Sequence, residues 1–238
     1  YVGTRGGGMD QTVCLCAAAG AALKISFTPF ALEPVTVPED WIFIVGHSLV
    51  VADKSLGTRE RYNAIPARCN AAVRQYARLT GMSANYPYLL DSCSPSELIS
   101  VAEALWPEET PELLRAFRHV VTEAVRVELA VEAMRQGKLD VFGRAMIESH
   151  VSLRDDLGVS CPDLDELVSA FLAAGAAGAR VTGAGFGGCV VALCSRSHAA
   201  SMMEQVEQQF YDSRKPQRAG FATYLFPVEP SPGAGLGE

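Results

Sequence analysis

The 238-residue sequence is 49% hydrophobic and 20% charged, with a net charge of −7 and a pI near 5.2, a balance that suits a folded chain and speaks against disorder. No block gathers Lys and Arg, which argues against nucleic-acid binding. No apolar run reaches the roughly 18 residues of a membrane span, and the start has neither the basic nor the bulky apolar character of a secretory signal. Seven cysteines at 14, 16, 69, 93, 161, 189 and 194 form no C-x-x-C pair. They read as reduced, mostly buried thiols of a cytoplasmic protein, and the four scattered histidines suggest no metal site.

The chain opens on Gly6-Gly7-Gly8-Met9-Asp10-Gln11. Glycines let a backbone pass close to a ligand. The apolar, alanine-rich stretch 13–23 that follows is a helix candidate ended or bent by Gly20. Its first free N–H groups would face the glycines and favour an anion there. Asp10 is therefore a candidate catalytic residue, oddly placed so near the first residue.

Residues 22–27 alternate like a strand that Pro29 interrupts, and 35–37 and 41–45 are further strand candidates between Pro34, Pro38 and Gly46. His47 at the strand exit is expected to be structural. Residues 53–79 read as helix with Pro66 inside, so the helix restarts or kinks there. Residues 85–96 read as loop, and Trp106-Pro107 ends a short helix. Val120, Ala124, Val127, Val131 and Met134 make an apolar stripe of barely two heptads, suited to this domain's own core rather than to a coiled coil. A second helix spans 139–155, antiparallel to the first, and Gly158 breaks it.

Ser160-Cys161-Pro162-Asp163 resembles a capping box with proline in the first turn. Leu164, Leu167, Val168, Phe171 and Leu172 form one apolar face of the helix behind it. Residues 179–182 and 189–194 read as strands, 199–211 as helix, 222–228 as a last strand and 230–238 as a mobile Pro/Gly tail. Helices and strands alternate without a strict βαβ rhythm, which predicts an α+β fold. Between two of these strands, Gly183-Ala184-Gly185-Phe186-Gly187-Gly188 satisfies G-x-G-x-x-G. Dinucleotide binding requires that pattern to open a helix. A β-branched run follows instead, so the loop reads as a turn between strands that admits close approach by another segment.

Gly6-Gly7-Gly8-Met9-Asp10-Gln11 and Val181-Thr-Gly-Ala-Gly-Phe-Gly-Gly-Cys189 together resemble two signatures of the galactokinase family, a branch of the GHMP small-molecule kinases. The resemblance is nearest to eukaryotic galactokinases and N-acetylgalactosamine kinases. It continues through Ile44-Val-Gly-His-Ser48, Tyr62-Asn63 with Cys69, Ser149-His150, Ser160–Leu167 and Tyr224-Leu-Phe226.

The resemblance implies a sugar-1-kinase passing the ATP γ-phosphate to the C1 hydroxyl of galactose or N-acetylgalactosamine, with Mg²⁺ as cofactor. Asp10 falls on the family's catalytic base, Gly7 and Tyr62 on its sugar contacts, and Gly183, Ala184, Gly185, Phe186, Gly187 and Gly188 on its phosphate-side loop. No metal ligand is carried over. Residues 1–40 correspond to the end of the N-terminal kinase domain, 41–229 to the C-terminal domain with an antiparallel sheet and packed helices, and 230–238 to a flexible tail. A cytoplasmic monomer is expected, with the sugar and ATP as its partners.

Two family motifs that precede Met-Asp-Gln, for the sugar and for the ATP phosphates, have no counterpart. The chain is therefore expected to be inactive alone. Ile65 and Pro66 stand where the family carries an arginine and an unbroken helix. A sugar- and ATP-binding regulator without catalysis, or an inactive fragment, is the alternative.

Overall fold

The computed structural model describes residues 7–51, 56–216 and 223–234, with side chains of 56–59 left aside. Predicted features on residues 1–6, 52–55, 217–222 and 235–238, Gly6 of the first glycine motif among them, lie outside the described residues. Helix α1 (Met9–Cys16) is followed by an antiparallel hairpin of β1 (Ala21–Phe27) and β2 (Phe30–Thr36). The helix thus starts earlier and stops sooner than 13–23, because Ala17 turns extended and Gly20 takes a φ of 69°. The hairpin also recovers residues 30–34, which the alternation did not mark as strand.

Strand β3 (Trp41–His47) is central to a four-stranded antiparallel sheet ordered β4-β5-β3-β6, with β4 at Gly178–Thr182, β5 at Cys189–Ser195 and β6 at Leu225–Val228. Ile44 lies opposite Ala192 on one side and Pro227 on the other. Alternation sends Ile44, Ala179, Val181, Val190, Ala192 and Cys194 to one face. There they pack on α7 (Pro162–Ala173) and α8 (Ala199–Val206) through Leu164, Leu167, Phe171, Met202 and Val206. Trp41 and Leu193 point the other way, against α5 (Pro111–Arg135) and α6 (Leu139–Ser152) through Val131, Met134 and Met146. Glycine permits the closest contact of that layer: a Cβ on Gly143 of α6 would lie 2.1 Å from the Ala177 carbonyl oxygen.

A separate core joins α2 (Leu56–Thr80), α3 (Tyr86–Ser92), α4 (Pro95–Leu105) and α5, with Tyr76 stacked on Phe117 at 4.5 Å. The segment 85–96, expected as loop, is mostly helical. The Asn85 side chain accepts the Tyr88 N–H at 3.1 Å, and Ser94 with Glu97 closes a capping box ahead of Pro95. The box expected at Ser160 does not form. Cys161 is the N-cap, while the Ser160 hydroxyl donates to Asp165 at 2.5 Å.

On α5 the buried face of the first half is Ala116, Phe117 and Val121, and Val127 is 43% exposed. The expected stripe holds only at Val131 and Met134, because the helix passes from the α2–α4 core to the sheet and turns different faces to each. The segment 230–234, expected to hang free, is tied down. Gly233 N–H donates to Ala17 O at 2.8 Å, Ala234 N–H to Cys14 O at 2.7 Å, and Gly20 N–H to Pro230 O at 3.1 Å. No helix among the described residues is long and apolar enough to cross a membrane.

Candidate active site

The loop at 183–188 closes the β4–β5 hairpin beyond the Thr182–Cys189 pair and leads into a strand, as its sequence predicts. Gly183, Gly185, Gly187 and Gly188 all have positive φ, and so does Phe186 at 60°. A phenylalanine in the left-handed region is strained and persists only where its surroundings hold it.

They do so on three sides. The Phe186 N–H donates to Val159 O at 2.7 Å. A Cβ on Gly185 would sit 2.2 Å from that same oxygen, so only glycine lets the two backbones meet. Gly188 exchanges hydrogen bonds with the exit of β3, donating to Val50 O at 2.9 Å and accepting from Ser48 N–H at 2.8 Å. The Arg61 guanidinium lies over the Phe186 ring, 4.4 Å from its centroid, a cation–π contact joining the loop to α2.

Tyr62, one residue on, is half-buried. Helix α2 runs unbroken through Pro66, with Ile65 packed against the α2–α5 core. Lacking an N–H, Pro66 leaves the Tyr62 carbonyl without its helical donor. The departure at 65–66 therefore removes one backbone hydrogen bond and leaves the helix continuous. The structure thus brings the glycine loop and the Arg61–Tyr62 turn together.

Gly7 and Asp10 belong to another element, α1 and the residues before it. Gly8, with φ 81°, is the N-cap of α1, and the Thr12 hydroxyl donates to Gly8 O at 2.8 Å. Asp10 sits in the first turn, where the N-terminal dipole favours a carboxylate. It is exposed and has no hydrogen-bond or ion-pair partner among the described residues. Neither Gly7 nor Asp10 is bonded to Tyr62 or to the loop.

Polar side chains around the Leu153–Leu157 turn form pairs and a network that the sequence reading did not predict. His119 Nδ1 meets Ser152 Oγ at 2.9 Å, Ser152 donates to Asp156 at 2.7 Å, and Arg118 grips the other Asp156 oxygen at 2.9 Å. His150 Nε2 faces Asp165 at 3.2 Å. Burial holds both imidazoles below the usual histidine range, against the pull of Glu123 and Asp156 on His119 and of Asp165 on His150. These residues are spread over α5, α6, the turn at 153–157 and α7, and no local spacing announces them. His47 is structural, as expected: its Nδ1 accepts from Leu49 N–H at 2.9 Å.

Burial also raises the thiols of Cys69, Cys189 and Cys194, which leaves them poor nucleophiles. No group of three or more His, Cys, Asp or Glu side chains that could hold a metal occurs among the described residues. They do not by themselves build a site for the expected Mg²⁺.

Residues 130–212 match the family described as GHMP kinases, C terminal. This span runs from the end of α5 past α8 and includes the glycine loop, so the fold is that of a GHMP kinase C-terminal domain. The chain is 36% identical to a galactokinase of Streptomyces coelicolor over 240 residues, covering 98% of this chain and 56% of that protein. It is likewise 36% identical to a galactokinase of Bos taurus, over 89% of this chain and 50% of that one. A crystal structure of Lactococcus lactis galactokinase complexed with galactose superposes with a TM-score of 0.76 at 28% identity, over 99% of this chain and 56% of that one. The chain belongs to the galactokinase family and spans about half the length of the relatives it matches.

Proposed function

We propose that the protein to which this chain belongs is an ATP-dependent sugar-1-kinase that phosphorylates galactose at its C1 hydroxyl. The observation that carries the reading is the glycine loop. It does not open a helix as a dinucleotide loop would, but is held rigidly between Val159, Val50 and the Arg61–Tyr62 turn of α2. Phosphoryl transfer asks a protein for positioning and charge stabilisation more than for covalent chemistry, and a preset backbone loop supplies positioning.

In this reading the loop shapes the phosphate side and Tyr62 and Gly7 contact the sugar. Asp10 orients the C1 hydroxyl and takes its proton as the oxygen attacks the γ-phosphorus, displacing ADP. Its exposed position at a helix N-terminus leaves the carboxylate free to face a substrate. The likeness to galactokinases over nearly the whole chain, and to a fold solved with galactose, supports galactose as the sugar. Mg²⁺ accompanying ATP, a monomeric state and a cytoplasmic location belong to the same reading.

The test is a coupled ADP-release assay on the enzyme, with galactose, N-acetylgalactosamine and glucose offered separately. Turnover with galactose above the others is expected. ADP release independent of added sugar would overturn the assignment.

A further inference from the structure

Arg68 has no part in the chemistry proposed above, yet it sits where α2 meets the glycine loop's support. One guanidinium nitrogen donates to the Leu157 carbonyl at 2.5 Å, while its Nε is sealed from solvent with no partner. A sealed Nε without a partner is a cost to the fold, and Arg68 meets no carboxylate among the described residues to offset it. Its geometric effect is specific. The carbonyl it grips lies two residues before Val159, whose own carbonyl takes the Phe186 N–H at 2.7 Å and touches Gly185.

The segment between is anchored at its other end too. Leu153–Leu157 is a π-helical turn, wider than an α-helix and uncommon outside functional regions. Asp156 within it is fixed by Ser152 and Arg118, and Val159 N–H returns to Leu153 O at 3.1 Å. The turn is thus pinned on the α5 side by Asp156 and on the α2 side by Arg68, and it offers one carbonyl to the strained loop.

We infer that Arg68 is a positioning residue: through Leu157–Val159 it sets the conformation of the glycine loop and couples it to α2, the helix that carries Tyr62. The coupling stands on the geometry alone; what the loop does with its conformation rests on the kinase reading.

Amide hydrogen exchange on the folded chain reads the coupling at the Phe186 N–H. Arg68→Met is expected to raise exchange there about tenfold, as loss of one charge-assisted hydrogen bond would. The Val190 and Ala192 amides keep the wild-type rate, and Arg68→Lys restores most of the protection. Unchanged exchange at Phe186, or an equal rise at Val190 and Ala192, overturns the inference. If Arg68→Met does not fold, Arg68→Gln, with a shorter neutral donor, is read in the same way. In the enzyme, the same variant is expected to raise the KM for ATP about tenfold and leave that for galactose unchanged. Faster exchange at Phe186 without a change in KM leaves the coupling intact and overturns the placing of the loop beside the phosphates.

Discussion

The turn at Gly7–Asp10 and the loop at 183–188 are both rich in glycine, and the chain treats them in opposite ways. Helix α1 buries none of its residues and leaves Met9, Val13 and Leu15 exposed. Its ties are at its far end, to Gly233 and Ala234. The glycine loop is bonded to Val159, Ser48 and Val50 and covered by Arg61. Glycine content therefore reports conformational freedom in both stretches, but rigidity comes from what packs around them. In the proposed enzyme one stretch carries the reactive carboxylate and the other a preset backbone surface.

The largest effect that sharpens this contrast is catalytic. Asp10→Asn, at an exposed site with no partner to lose, is expected to cut turnover by a factor of about 10² to 10⁴ while the melting temperature stays put. Steady-state kinetics with galactose and a thermal melt check both, and near-normal turnover would point to another base.

Gly185→Ala is expected to act in the reverse sense. Its Cβ would meet Val159 O at 2.2 Å with φ at 77°, for a loss of about 3 kcal/mol in urea unfolding. Gly8→Ala shares the positive φ, at 81°, but meets nothing within 4 Å. It should lose only about 1 kcal/mol. Equal losses at the two positions would break the comparison.

The smallest effect concerns pH. Burial lowers the pKa of His119 and of His150, so the folded chain binds fewer protons than the unfolded one. Stability then rises with pH through the unfolded value of about 6.5, and is lost progressively as pH falls below it. Thermal melts between about pH 8 and pH 5.5 should therefore show the drop, and His119→Asn should flatten it.

Much of this was legible in the chain itself, and the failures have particular causes. The strands β3, β4 and β5 showed as β-branched runs between Gly and Pro, and the helix ending at Ala173 as a clean apolar face. The segment 85–96 was misread because its Ser, Pro and Asn residues mark turns and helix caps alike. What separates the two is whether the following side chains, here Leu89 and Leu98, find a core to enter. The stripe on α5 failed for a related reason, since a helix serving two cores has no single buried face.

By itself, the sequence determined the two glycine motifs and the antiparallel hairpin around the second, because those depend on residue type and local order, while the roles proposed for Asp10 and Tyr62 came from the resemblance to a family. Only the tertiary structure decided that Val159 and Arg61 hold the loop, that Arg68 reaches Leu157 across 89 residues of chain, and that His119, Ser152 and Asp156 form one network. Such contacts depend on which elements the fold brings together, and those of Val159 and Leu157 use backbone carbonyls that every residue carries, so local residue order does not announce them.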